Sequence, residues 1–126
     1  MEGKWVFTVQ KPSMIPFLTY ADNRELREKL HKAYANLANN GNEFDNNQVT
    51  AKMIALRAEK SKILGYRAHA DYVLENNMSK TPEKVNDFLD QIWIKALPVA
   101  RKEAAELQKM IDREGGRFKL AHWDWW

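Results

Sequence analysis

Thr81-Pro82-Glu83-Lys84-Val85-Asn86-Asp87-Phe88-Leu89-Asp90-Gln91-Ile92-Trp93 opens the stretch that decides the fold. Thr81 can cap the free backbone N–H groups of a helix, Pro82 takes a first position that needs no donor, and Glu83 suits the positive end of the helix dipole. From there Val85, Phe88, Leu89, Ile92, Trp93, Ala96, Val99, Ala100, Leu107, Met110 and Ile111 recur at helical spacing until Gly115-Gly116 stops the pattern. Pro98 lies inside this run and removes one backbone hydrogen bond, which predicts a kink between 94 and 98.

Upstream the same spacing repeats in shorter pieces. Residues 11–20 carry Pro12 and Pro16 with Met14, Ile15, Phe17 and Leu18 among them, which predicts a short, buried, turn-bounded helix. Asp22 and Glu25 form a capping pair ahead of Leu26, Leu30, Ala33, Tyr34 and Leu37, with Glu25–Lys29 and Glu28–Lys32 as supporting i,i+4 pairs. Asn39-Asn40-Gly41 ends that helix, and 42–47 reads as a polar loop. Asn46 or Asn47 can cap a third helix whose inner face holds Val49, Met53, Leu56 and Ile63, with Gly65 as its stop. A shorter helix over 67–76 presents Ala70, Tyr72, Val73 and Leu74. The fold class is therefore all-α, an array of four to five helices; Leu64-Gly65-Tyr66 does not recur at the period a repeat array needs.

The two ends differ from the middle. Trp5-Val6-Phe7-Thr8-Val9-Gln10 alternates large apolar side chains and is closed by Lys11-Pro12, the pattern of one half-buried strand. No second such run lies between 13 and 117, so the strand's partner is either 117–121 or, as favoured, outside this chain; the alternative is an ordered extended arm. The last residues are His122-Trp123-Asp124-Trp125-Trp126. An indole buries on the order of 150 to 250 Å², and three of them in four positions read as a cut through a motif. The chain is expected to be one piece of something larger.

Composition bounds the function. With 126 residues, 44% hydrophobic and 29% charged, the chain has the size of one domain. Its 20 basic and 17 acidic residues are interleaved at helical spacing and form no basic block, so no nucleic-acid partner is expected. Cysteine is absent, which excludes a disulfide, a thiolate metal site and a cysteine nucleophile. No signal-like or membrane-length apolar stretch is present, and a cytoplasmic location with no membrane partner is expected.

Catalytic motifs are missing. His31, His69 and His122 have no second histidine at i+3 or i+4, and no His-Glu-x-x-His occurs. His69 with Asp71, and His122 with Asp124, stand two apart, which on a helix sends the side chains to different faces. No phosphate-cradling glycine loop and no Gly-x-Ser-x-Gly is found. Asp124, among Trp123, Trp125 and Trp126, has two readings: burial could raise its pKa for general-acid work, or it caps a following helix by accepting backbone N–H bonds. The second is preferred. The tryptophans read as inter-helix packing, since a base-stacking platform comes with a basic groove.

Trp5-Val6-Phe7-Thr8, Tyr20-Ala21-Asp22-Asn23-Arg24-Glu25-Leu26-Arg27-Glu28-Lys29, Leu56-Arg57-Ala58-Glu59-Lys60, Leu64-Gly65-Tyr66, Ala70-Asp71-Tyr72-Val73-Leu74, Met78-Ser79-Lys80-Thr81-Pro82 and Trp123-Asp124-Trp125 occur in this order. Together they resemble the central part of the thimet-oligopeptidase family of zinc metallopeptidases, most of all the bacterial peptidyl-dipeptidases (dipeptidyl carboxypeptidases). The resemblance implies an almost wholly helical, two-lobed enzyme around a deep channel that admits short peptides. It also implies a zinc ion held by two histidines of a His-Glu-x-x-His helix and a later glutamate, with the motif glutamate activating water. In that family the zinc motif lies beyond the Trp-Asp-Trp block, so it carries no catalytic, cofactor-binding or metal residue onto this chain, and the peptide-gripping tyrosines and glycines also lie downstream.

The expectation is thus that 1–126 forms a single helical segment of a larger two-lobed peptidase, inactive alone, with zinc only in the parent. Its partners would be the remainder of the parent chain and, for the parent, short peptides. Apolar surface left uncovered would promote self-association. The alternative from another class is a free-standing helical interaction module using Trp93, Trp123, Trp125 and Trp126 as anchors.

Overall fold

The computed structural model describes residues 3–126. Five α-helices follow in order, α1 (Lys11–Tyr20), α2 (Arg24–Ala35), α3 (Asn47–Ile63), α4 (His69–Leu74) and α5 (Pro82–Arg113), and a 3-10 turn occupies His122–Asp124. Among the described residues there is no strand, so the all-α class stands and 5–9 takes the second of its two expected forms, an arm. Residues 117–121 offer it no ladder. What holds the arm is side-chain contact: the Phe7 and Phe17 rings lie 4.3 Å apart between centroids.

The helix boundaries follow local chemistry with small shifts. Asn23, rather than Asp22, caps α2, its side-chain oxygen accepting the Leu26 N–H at 3.0 Å. The helix stops at Ala35, before Asn39-Asn40-Gly41, because the side-chain amide of Asn36 donates back to the Lys32 carbonyl at 2.9 Å. At the end of α3, Gly65 takes φ +82, the left-handed conformation that glycine reaches without a Cβ penalty. There Gly65 N–H donates to Lys62 O at 3.1 Å and Tyr66 N–H to Ser61 O at 2.9 Å, a Schellman closure. The fourth helix is shorter than expected, beginning only at His69. Thr81 caps α5 through a 3.3 Å bond from the Lys84 N–H, and the helix runs unbroken through Pro98.

The chain divides into two compact units. Met1–Phe44 with Glu106–Trp126 make the first, and Asp45–Ala105 the second. In the first, Met14 and Leu18 of α1 form the buried apolar centre, α1 packs on α2, and the 3-10 turn packs on α2. In the second, α3 packs on α4, yet the one fully buried side chain is the polar Ser61. Val49, Met53, Leu56 and Ile63, expected to face inward from α3, are all exposed, Ile63 at 77%. That expectation fails for a physical reason: helical spacing places these side chains on one stripe, but no described residue of this unit covers it. Phe88, Ile92 and Trp93 of α5 are uncovered in the same way.

Candidate functional site

The most connected polar cluster in the first unit is built from the start of α2 and the turn at 122–124. Arg24 and Arg27 stand three apart on α2, so one face of its first turn carries two guanidinium groups. Cations at the positive end of a helix are unfavourable unless an anion answers them. Asp124 is that anion. Arg24 Nε donates to Asp124 Oδ1 at 3.1 Å, Arg24 Nη2 to Oδ2 at 3.0 Å, and Arg27 Nη2 to Oδ1 at 3.1 Å. The Ala121 N–H donates to Oδ2 at 3.0 Å, closing the 3-10 turn on itself.

Arg27 also ties the turn to the loop before α2, donating to Ala21 O at 2.7 Å, Asp22 O at 3.1 Å and Trp123 O at 3.2 Å. The aromatics complete the cluster. The Arg24 guanidinium lies 4.3 Å from the Phe118 ring centre and 5.3 Å from that of Trp123, and Lys32 Nζ lies 5.4 Å from Trp123. His31 stacks on His122 at 6.1 Å and meets Trp123 at 6.0 Å. The Trp123 Nε1 is buried without a hydrogen-bond acceptor among the described residues, a cost of about 1–3 kcal/mol that the surrounding contacts must outweigh.

The Asp124 side chain is only 5% exposed. Burial pushes its carboxyl up; the bonds from Arg24, from the Ala121 N–H and from Arg27, with the charge of Arg24, overcome this and hold it below the ordinary carboxylate value. A carboxylate so engaged, with both oxygens accepting, favours the ionised form. This speaks against the general-acid reading of Asp124, and the backbone N–H bond of the capping reading is present. Asp124 accepts it from the third position of the turn, reaching back to Ala121. The arginines were the missing half of the site. Their signal was two positive side chains in the first turn of a helix.

The second unit has a Ser61, His69 and Asp71 grouping that invites comparison with a nucleophilic site. Ser61 Oγ lies 3.5 Å from His69 Nδ1, but it is wholly buried and donates to the Arg57 carbonyl at 2.8 Å. Asp71 pairs with Arg67 at 3.4 Å, and Arg67 with Glu83 at 2.9 Å. A serine that no substrate can reach, with its proton held by its own helix, is a packing residue. Tyr66 donates to the Glu75 carboxylate, which pushes the phenol pKa up. No three histidine, aspartate or glutamate side chains converge to hold a metal among the described residues, so the residues present do not fit a zinc ion. Trp93, Trp125 and Trp126 remain apart from these clusters and exposed.

Comparison with known proteins bears on the whole chain. A sequence model described as Peptidase family M3 matches residues 17–126. Oligopeptidase A of Haemophilus influenzae is 38% identical over 122 residues, which cover 94% of this chain and 18% of that protein. Oligopeptidase A of Escherichia coli is 35% identical over 128 residues, 98% of this chain and 19% of that protein. Dipeptidyl carboxypeptidase of Escherichia coli is 29% identical over 125 residues, 99% of this chain and 18% of that protein. The chain thus spans about a fifth of the length of these curated relatives.

Proposed function

This chain belongs to peptidase family M3, and from that premise we propose that it is a non-catalytic segment of a zinc-dependent oligopeptidase or peptidyl-dipeptidase acting on short peptides. Its part in such an enzyme is to build wall and support for the peptide channel. The observation that carries this reading is the uncovered apolar surface. The stripe on α3 and the Phe88, Ile92 and Trp93 face of α5 are suited to burial against further helices of a parent chain.

Zinc, the attacking water and the grip on the peptide are then supplied outside 1–126. Incubated with zinc and a quenched short peptide, this chain is expected to retain no stoichiometric metal and to release no product. One equivalent of tightly bound zinc, or turnover that a chelator abolishes, overturns the reading. Sequencing the encoding message downstream of the Trp126 codon tests it from the other side: an in-frame His-Glu-x-x-His supports it, and a stop codon favours a free-standing interaction module. Trp93, Trp125 and Trp126 are exposed enough to anchor a partner of such a module, whereas Trp123 is engaged with His31 and the α2 cations.

A further inference from the structure

Asn40-Gly41 is the single Asn-Gly pair in the sequence, and it lies in the exposed turn after α2. Glycine has no side chain to hinder approach of its backbone nitrogen to the preceding side-chain amide. Gly41 sits at φ +64, and nothing lies within 4 Å of where a Cβ would be. We propose that Asn40 is a site of spontaneous deamidation whose product loosens the C-terminal turn of α2.

In the first step the Gly41 nitrogen loses its proton and bonds to Asn40 Cγ while the Cγ–Nδ2 bond breaks, and ammonia leaves to give a succinimide. Water then adds to either ring carbonyl and opens the ring to aspartate or isoaspartate. Water is the only co-reactant.

The surroundings give this change a structural effect. Asn40 Nδ2 donates to Asn36 O at 2.8 Å, and Asn36 Nδ2 donates to Lys32 O at 2.9 Å. The two amides form a ladder that gives a second donor to carbonyls at the end of α2, each of which also accepts a backbone N–H. A carboxylate at 40 has no N–H for the Asn36 carbonyl and sets a negative charge at the negative end of the helix. The isoaspartyl form also lengthens the backbone by one atom at the turn.

The test is to age the whole chain in neutral buffer at physiological temperature and map it by peptide mass spectrometry, with enzymatic methyl labelling of isoaspartate. Acid and isoacid at position 40 are expected to accumulate faster than at any other asparagine. Asn40→Gln, which keeps the amide but would need a larger ring, is expected to stay unconverted there. In Asn40→Asp, hydrogen exchange at the Asn36 and Leu37 amides is expected to run roughly three- to tenfold faster. An intact amide at 40 while other asparagines convert, or equal rates at all of them, overturns the site. Unchanged exchange in Asn40→Asp overturns its effect on α2.

Discussion

Asp124 is where one atom-scale arrangement decides most. Removing one partner of a buried ion pair costs about 3–5 kcal/mol. Arg24 and Arg27 remain 29% and 17% exposed, so water recovers part of that, and Asp124→Asn is expected to lower the stability of the first unit by about 2 kcal/mol, read from the urea midpoint. The pH dependence has a definite sign. The folded carboxyl titrates below its unfolded value, so its contribution is complete above about pH 4 and is lost as pH falls from there through the folded value. Acid unfolding of Asp124→Asn should therefore be shallower over that window than that of the parent chain. How much of this was legible from residues alone is instructive. That Asp124 accepts backbone N–H bonds follows from an aspartate next to a turn. That it answers Arg24 and Arg27 does not, because those partners are 100 and 97 positions away, and no local pattern spans such a distance.

Among the elements, starts and stops were the readable part. Thr81-Pro82-Glu83 and Gly65 mark termini by chemistry that acts within four residues, and both stand where the structure places them. Gly65→Ala forces a side chain into a left-handed position and is expected to cost about 1 kcal/mol, seen as a lower melting temperature by circular dichroism. Pro98 should behave in the opposite sense. A proline inside a helix costs on the order of 3 kcal/mol, so Pro98→Ala is expected to raise helicity at 222 nm-type far-ultraviolet bands and to slow amide exchange around 98. A fall in helicity would mean that neighbouring contacts require the proline. The face of α3 was the unreadable part. Spacing at three and four tells which side of a helix is apolar, and says nothing about whether a neighbour is there to cover it. Val49, Met53, Leu56 and Ile63 show the difference, since all four obey the pattern and all four meet water.

For the whole molecule, the apolar faces of the second unit are expected to govern the behaviour in solution. Surface of this kind binds environment-sensitive dyes and drives association. The chain is expected to enhance the fluorescence of such a dye and to scatter light above monomer mass at high concentration. Met53→Glu combined with Leu56→Glu should reduce both signals, because the charges fall in the middle of the α3 stripe. A monomer without dye binding would remove the main support for the channel-wall reading.

The first unit is discontinuous, joining the beginning of the sequence to its end. Its clasp on α2 closes across 100 positions, and bringing ends that far apart together costs about 4 kcal/mol of chain entropy before any contact rewards it. Helices α3 and α4 need no such closure, their contacts being local. On a ribosome α2 therefore emerges with its two arginines unanswered, and it waits for more than ninety further residues of synthesis before the carboxylate that completes it exists. Within this unit the order of synthesis sets an order of closure, α2 being made well before the carboxylate that secures it.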